Sequence, residues 1–216
     1  MTLHPLPHQA SDRSLVSAMT PGAHPPDHVH MPPRLRSLVA LVAVLATPVV
    51  LANIAPSAAY ADVAAPNASR SATAALDLGI IQQLNEIRTE HGLKPLTLDP
   101  SLSAAAMAHS RDMVDRGYFA HRSSDGQPFW KRIMTFYPAG NFGYWAVGEN
   151  LYWSSGFPTA DDGMQAWMAS PEHRKNILDP TWTQIGIATV VSPDAPGPFN
   201  DLGVTVITTD FGVRHD

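Results

Sequence analysis

Apolar residues in the first predicted helices recur every three or four positions, which is the spacing of one buried helix face. Residues 76–91 form one such run and predict a helix that ends before Gly92. A second run predicts a helix over residues 100–116. Asp99 is a favoured N-cap residue there, proline is favoured at the first helical position, and Gly117 is a typical helix-ending residue. Both helices therefore have sequence signals at their ends as well as an apolar face.

The middle of the chain predicts shorter elements. Residues 128–136 fit a short helix, and residues 138–155, rich in glycine and aromatic residues, fit an irregular loop with a short strand. Thr159 and Asp162 have the spacing of a capping box at the start of a further helix. That helix ends at Ser170–Pro171, where Ser170 is expected to cap one more helical turn.

The end of the chain changes from helical to strand periodicity. Residues 183–192 and 202–212 are rich in β-branched residues, and a segment with Pro, Gly and Asn separates them. This pattern predicts two strands with a hairpin-like connection. Because helices come first and strands afterwards, the sequence predicts an α+β domain in which helices cover an antiparallel sheet.

Residues 1–61 have the composition of an N-terminal extension rather than of a folded domain. Residues 37–61 are largely apolar, follow two arginines and end in a small-x-small tripeptide, which is typical of a secretory signal peptide. A retained transmembrane anchor is the alternative, but Pro48 interrupts the apolar run before it is long enough to span a bilayer. A signal peptide begins close to its charged region, and Met31 stands immediately before "PPRLR", so we expect Met31 to be the true start. The pattern predicts a secreted, extracellular protein with no stable membrane span after cleavage.

The mature chain is predicted to consist of a flexible, Ala- and Ser-rich linker over residues 62–75 and one domain over residues 76–216. The chain is acidic, with 14 Lys and Arg against 19 Asp and Glu and a formal net charge of −5. This balance opposes nucleic acid or an anionic membrane surface as a partner. The chain has no cysteine, which excludes disulfides, thiol nucleophiles and Cys-ligated zinc sites.

Three polar residues, His121, Glu149 and His173, lie next to breaks in the predicted elements. Two imidazoles and a carboxylate can bind zinc or another divalent metal and leave one coordination position open. They can equally act as general acid and base, with Glu149 as the general base, since burial would raise its pKa. The residues alone also leave a structural role open for each of them. His109, on the face of the second helix, is expected to be packed rather than a ligand.

The segments "FAHRSSDG", "GENL" and "SPEHRKNIL" contain His121, Glu149 and His173 in this order. With their flanking sequence over residues 76–212 they resemble the CAP superfamily of cysteine-rich secretory, antigen 5 and pathogenesis-related proteins, in its bacterial SCP-like branch. The resemblance implies an α-β-α sandwich with a central antiparallel sheet. It also implies a cleft lined by the two histidines and acidic residues, with Glu149 at the position of the family's glutamate. In several members the paired histidines bind zinc or another divalent ion. Ser170 stands where the eukaryotic pattern has a second glutamate, so that carboxylate is missing here.

Family and fold do not define a reaction, so the sequence leaves three alternative functions open. One is a secreted binding module that takes a divalent metal together with a small apolar, lipid-like or envelope-derived ligand, received by the aromatic residues of 143–153. The alternative is a metal-assisted extracellular hydrolase of peptide or cell-envelope material, with Glu149 as general base. In a third, structural reading, the polar residues form a buried network that orders the loops around the cleft. No oligomeric state is predicted.

Overall fold

The computed structural model describes residues 58–216, so the predictions for the signal peptide and for a start at Met31 lie outside the described residues. Within them the chain forms one sheet with helices on both faces, and the predicted α+β class is confirmed. In chain order the elements are α1 (Ala58–Glu90), β1 (Thr97–Leu98), α2 (Pro100–Arg116), α3 (Phe129–Phe136), β2 (Tyr144–Ser155), α4 (Ala160–Ala169), α5 (Pro171–Ile177), β3 (Gln184–Ala195) and β4 (Leu202–His215), with a short 3-10 helix (Gly197–Phe199) between the last two strands.

The ends of α2 and α4 follow from local side-chain chemistry, as predicted. The Asp99 carboxylate accepts a hydrogen bond from the backbone N–H of Ser101 at 2.8 Å, and Gly117 ends α2 with a φ of 64°. Thr159 and Asp162 form the predicted capping box at the start of α4, since each side chain bonds to the backbone of the other residue. These contacts satisfy N–H groups that the first helical turn leaves unpaired.

The four strands form one sheet in the order β1-β3-β4-β2. Strand β4 is antiparallel to both of its neighbours, and the two-residue β1 is parallel to β3. The predicted antiparallel arrangement is confirmed for β2, β3 and β4, while β1 adds a parallel pair that the sequence did not indicate. Strand β2, at one end of this order, carries the "GENL" segment.

Strand β2 is longer than predicted. The predicted loop with a short strand over residues 138–155 is wrong for residues 144–155, which form a 12-residue strand paired along its whole length with β4. Residues 145–152 are all buried. A strand that is buried on both faces shows no alternation of polar and apolar residues, and alternation is the signal by which a strand is recognised.

Helices cover both faces of the sheet, which confirms the α-β-α sandwich. On one face α1, α4 and α5 pack on the sheet through a core that includes Ile80, Trp167 and Ile177. On the other face α2 packs on β3 and β4, and α3 packs on β2, around a core that includes Leu102 and Ile133. Alternate residues of a strand point to opposite faces, so Glu149 lies on the α2 and α3 side together with its neighbours two positions away in β2.

Helix α2 lies directly on the sheet at Gly186 of β3. A Cβ atom added to Gly186 would lie 2.1 Å from the backbone carbonyl carbon of Leu102 and 2.1 Å from the backbone nitrogen of Ser103. No side chain fits there, so glycine permits the close approach of helix and strand. This approach places the α2 residue His109 over the part of the sheet that carries Glu149.

Helix α1 extends further towards the N-terminus than predicted. Residues 62–75, the predicted flexible linker, are helical in the structure, which is consistent with the high helix propensity of their alanines. The side chains of residues 67–75 are exposed, apart from half-buried Thr73, and packing begins at Leu76, the predicted start of the domain. Across residues 58–216, no helix has the length and apolar character that crossing a membrane requires.

Candidate functional site

Glu149 is the centre of a buried polar network. Its side chain lies in the middle of β2 and is 0% exposed. Its Oε1 atom accepts a hydrogen bond from His121 Nδ1 at 2.8 Å, and its Oε2 atom accepts one from Nη2 of Arg132 in α3. His109 Nε2 of α2 lies 3.9 Å from Oε1. One carboxylate therefore connects the sheet with α2, α3 and the loop between these two helices.

His121 lies in the loop between α2 and α3, and this loop is fixed at several points. The Asp112 carboxylate accepts hydrogen bonds from the backbone N–H and hydroxyl of Ser124 at 3.2 and 3.1 Å. Arg132 Nη1 donates to the backbone carbonyl of His121 at 3.3 Å and to the hydroxyl of Ser123 at 3.2 Å. The position of the imidazole is thus set by the surrounding backbone as well as by its bond to Glu149.

The tautomer of His121 follows from the state of Glu149. Burial alone would raise the pKa of Glu149, but Arg132, together with His109 and His121, more than offsets burial and lowers this pKa to about 2. An ionised carboxylate only accepts hydrogen bonds, so His121 Nδ1 carries the hydrogen of their bond. In the neutral imidazole, Nε2 is then the nitrogen with a free lone pair. The side chain of His121 is 10% exposed.

His173 reaches the same region from the other face of the sheet. It lies in the first turn of α5, and its backbone carbonyl accepts a hydrogen bond from the side chain of Asn150, the β2 residue after Glu149, at 3.2 Å. Asn176 of α5 donates to the Glu149 carbonyl and to the Asn150 side chain, both at 3.0 Å. Burial, together with the nearby His121, lowers the pKa of His173 to about 4. The two histidines therefore lie within electrostatic reach of each other, and His173 is neutral at neutral pH.

The helical break before His173 has the predicted position but not the predicted cap. Ser170 ends α4 and precedes α5 in an extended conformation, with φ −89° and ψ 119°. Its hydroxyl makes no capping hydrogen bond to α5. Glu172, the acidic residue closest to the missing family carboxylate, is exposed, whereas the neighbouring His173 is buried.

Arg132 and Asp210 belong to the network and were not predicted from the sequence. Asp210 of β4 is directly opposite Glu149 of β2, and both are buried. Burial raises the pKa of Asp210 well above its usual range, and the neighbouring Glu149 charge raises it further. The sequence does carry one signal for Asp210, since it is an acidic residue inside the β-branched run of a buried strand. Arg132 follows Lys131 in a short amphipathic helix and has no such signal.

His109 is packed, as predicted. Its residue surface is 0% exposed, and Nε2 bonds to the Ala120 carbonyl at 2.9 Å. Burial lowers the pKa of His109 to about 4, so its ring is neutral and Nε2 is the donor. Its Nδ1 atom has no hydrogen-bond partner among the described residues. His109 therefore holds the loop that carries His121 through the carbonyl of the preceding residue, Ala120.

A metal site that uses all three predicted ligands does not fit the geometry. Both Glu149 oxygens already accept hydrogen bonds, from His121 and Arg132. In the part of the chain that the structure describes, no group of three or more His, Cys, Asp or Glu side chains is placed to hold a metal ion. A site formed by His121 Nε2 and neutral His173, with Glu149 behind His121, does fit the donor chemistry. Metal binding stays a prediction, with Glu149 in a supporting position.

The aromatic residues around "GENL" lie mainly in the core. Trp145 is buried and donates its indole N–H to the Tyr137 carbonyl at 3.0 Å. Tyr152 is buried as well, and Trp153 packs edge-on against Phe199 with ring centroids 5.2 Å apart. The predicted aromatic surface for an apolar ligand is therefore largely used in packing the domain.

The architecture and the network together define a class of protein: an α-β-α sandwich in which His121 bonds to a buried glutamate of the end strand, and in which the helix that carries His173 bonds to the next residue of that strand. The model of the CAP family, the cysteine-rich secretory protein family, matches residues 81–208, more than half of the chain. The chain belongs to the CAP family, which confirms the resemblance of its motifs.

Bacterial relatives support the same assignment. The chain is 39% identical to the uncharacterized protein YkwD of Bacillus subtilis (strain 168) over 123 residues, which cover 56% of this chain and 45% of YkwD. It is 29% identical to the uncharacterized membrane protein YlbC of the same strain over 108 residues, covering 50% and 30% of the two chains. A crystal structure of an extracellular protein containing an SCP domain from Bacillus anthracis str. Ames is similar at 25% identity and a TM-score of 0.50, covering 67% of this chain and 41% of that one. The chain thus spans less than half the length of each of these relatives.

Proposed function

We propose that this chain is an exported CAP-domain binding protein in which His121 and His173 bind a divalent metal ion and present it to a small or envelope-derived ligand. The hydrogen bond from His121 Nδ1 to Glu149 carries the proposal. A metal-ligating histidine usually donates its other ring N–H to a carboxylate or carbonyl, which fixes the tautomer and makes the ligating nitrogen more basic. The buried Glu149 carboxylate meets this requirement for His121.

The state of His173 supports the same role. A histidine must be unprotonated to bind a metal, so metal binding competes with protons. With its pKa lowered to about 4, His173 is already neutral at neutral pH. Two imidazoles leave further coordination positions open for water or a ligand, as in metal sites that exchange ligands.

Export is proposed from two separate observations. The predicted signal peptide precedes the domain, and the similar Bacillus anthracis protein is described as extracellular. A protein outside the cell membrane meets envelope material, so an envelope-derived ligand is preferred over an apolar one. The burial of Trp145 and Tyr152 removes much of the support for an apolar ligand.

A metal-assisted hydrolase stays the alternative prediction, but the geometry gives it less support. A general base is most effective when its pKa lies near the working pH. The Glu149 pKa of about 2 and the engagement of both of its oxygens make it a poor proton acceptor at neutral pH. The same features favour a role in orienting His121.

Zinc titration of the secreted chain by calorimetry tests the proposal. The wild type is expected to bind one zinc ion, and the His121→Ala/His173→Ala variant is expected to lose this binding. His215→Ala is the matched control, because His215 is exposed at the end of β4. Equal zinc binding by the wild type and the double variant would contradict the proposal.

A further inference from the structure

Strand β2 lies at the end of the sheet order, and within residues 58–216 no strand pairs with its outer edge. Along an antiparallel strand, the backbone groups of successive residues point alternately towards the partner strand and away from it. The N–H of Gly156 donates to the carbonyl of Gly203 in β4 at 2.9 Å, so the β2 residues in phase with Gly156 face β4. The residues between them point their N–H groups outwards. We call four of these N–H groups the outer donor row: those of Glu149, Leu151, Trp153 and Ser155.

Two side chains cap carbonyls of this edge and confirm its direction. The Glu149 carbonyl accepts a hydrogen bond from Asn176 Nδ2, and the Leu151 carbonyl accepts one from Trp167 Nε1, both at 3.0 Å. These donors belong to α5 and α4, so they protect the edge without adding a strand. Among the residues that the structure describes, nothing accepts a hydrogen bond from the outer donor row. The edge therefore has two of its acceptors filled and its donors free.

Access to the outer donor row increases along the strand. Glu149 is 1% exposed although its side chain is 0% exposed, so its small contact with solvent is through the main chain. Leu151 is 4% exposed, Trp153 is half-buried and Ser155 is exposed. Buried N–H groups without a partner are rare in folded proteins, because their desolvation is not compensated by a hydrogen bond. The row thus leads from an exposed end of β2 to the buried network and presents donors that lack acceptors.

We propose that this edge binds an extended peptide, which adds to β2 as a further strand and accepts hydrogen bonds from the outer donor row through its carbonyl oxygens. Donors on alternate residues of a strand repeat about every 6.8 Å, and the carbonyls on one side of an extended peptide have the same spacing. Strand addition of this kind takes its affinity from main-chain hydrogen bonds. The inference rests on the proposed envelope-derived ligand, names peptide as its chemical class and requires no metal.

The surroundings of the row favour a neutral acceptor over an anion. The Glu149 carboxylate pairs with Arg132, so this guanidinium is not free to hold an anionic ligand. A peptide carbonyl has no net charge and avoids repulsion by the carboxylate. Each capped carbonyl also keeps a second lone pair, so it can still accept a hydrogen bond from a peptide N–H. An extended peptide therefore matches both kinds of group on the edge.

Backbone NMR of the secreted chain tests the inference with a blocked peptide of alternating threonine and valine that carries a lysine at each end. These β-branched residues favour the extended conformation. Peptide at millimolar concentration should shift the amide signals of the outer donor row and slow their hydrogen exchange. The amides of Asn150, Tyr152 and Ser154, which face β4, should change less. This alternation distinguishes strand addition from a general change of the fold.

Amide-to-ester replacement at Leu151 provides a second measurement, because it removes one outward N–H and keeps the side chain. It should weaken peptide binding roughly fivefold, the effect of one hydrogen bond. The same replacement at Tyr152 is the matched control. It removes an N–H that faces β4, so it should lower the Tm and leave the peptide Kd unchanged.

Three results would overturn the inference: no amide response to the peptide, equal responses of the two sets of amides, or an ester at Leu151 that binds the peptide as tightly as the wild type. Protection of the row that depends on protein concentration without peptide would assign the edge to a second copy of the chain and overturn it as well. Failure of the proposed metal role looks different. A wild type that binds no zinc but shows the alternating response removes the metal alone, and one that binds zinc without this response removes the peptide alone.

Discussion

Glu149 and Asp210 are directly opposite each other on the antiparallel strands β2 and β4, and both carboxyl groups are buried. Like charges this close cannot both be ionised at low cost, so their pKa values move apart. Arg132 lowers the pKa of Glu149 to about 2 against the effect of burial, whereas burial and the Glu149 charge raise the pKa of Asp210 well above its usual range. The pair thus carries one negative charge, located on Glu149.

Asp210→Asn is expected to raise the Tm at pH 7 or leave it unchanged. A carboxyl group whose pKa is raised on folding contributes stability below its unfolded value, near 3.8, and this stability is lost as the pH rises. The amide has the same shape and does not ionise, so the variant avoids this loss. Thermal unfolding at pH 4 and pH 7 checks the prediction. If Asp210→Asn is less stable than the wild type, and by a larger amount at pH 7 than at pH 4, then Asp210 is ionised in the folded wild type and the prediction is wrong.

Glu149→Gln is expected to show the opposite pH dependence. The lowered pKa of Glu149 contributes stability that is present above its unfolded value, about 4.5, and is lost as the pH falls towards about 2. At neutral pH the variant leaves the Arg132 charge buried without its partner, at a cost of about 3–5 kcal/mol. Chemical denaturation should show this deficit at pH 7 and a smaller one at pH 3. A deficit that is constant over this range would argue against an ionised Glu149.

Asp112→Ala is expected to loosen the loop that carries His121. The Asp112 carboxylate accepts hydrogen bonds from Tyr118 and from the backbone and hydroxyl of Ser124, which lie on either side of His121. Loss of these bonds should cost about 1–3 kcal/mol and increase amide hydrogen exchange between residues 118 and 124. Asp115→Ala, an exposed change on the same helix, is the control. If hydrogen exchange in the loop is unchanged in Asp112→Ala, the hydrogen bonds of Asp112 do not hold the loop in place.

Gly186→Ala is expected to destabilise the domain by about 3 kcal/mol or more, because the added methyl group would meet the backbone of α2. In the matched control Gly143→Ala, the added atom would lie 3.6 Å from its nearest neighbour, an ordinary contact. Denaturant unfolding of both variants measures the difference. Similar stabilities of the two would contradict the close approach of α2 and β3.

The sequence predicted the structural features that depend on contacts between residues close together in the chain. The ends of α2 and α4 followed from Asp99 and Thr159, because capping is a contact between residues two or three positions apart. Strand β2 was missed over most of its length, since burial on both faces removes the alternation. The α-β-α architecture came from the family resemblance.

Some residues of the candidate site could be predicted from the sequence, and others could not. His121, Glu149 and His173 were found through motifs that resemble a family, and spacing alone did not connect them. Arg132 lies 17 residues before Glu149 in the chain, and Asp210 lies opposite it on the neighbouring strand β4. Neither relationship leaves a local pattern in the sequence. Glu149 is predicted from the sequence as a ligand and a base, and the arginine that bonds to its Oε2 atom has no signal there.

The central claim is that buried Glu149 orients His121 so that Nε2 is the nitrogen offered to a metal ion. Long-range proton–nitrogen NMR spectra of the histidine rings, recorded at neutral pH before and after addition of zinc, test it directly. Metal-free His121 is expected to carry its hydrogen on Nδ1, and zinc is expected to shift the Nε2 signals of His121 while the Nδ1 hydrogen is retained. A hydrogen on Nε2 in the metal-free protein, or zinc bound at Nδ1, would contradict it.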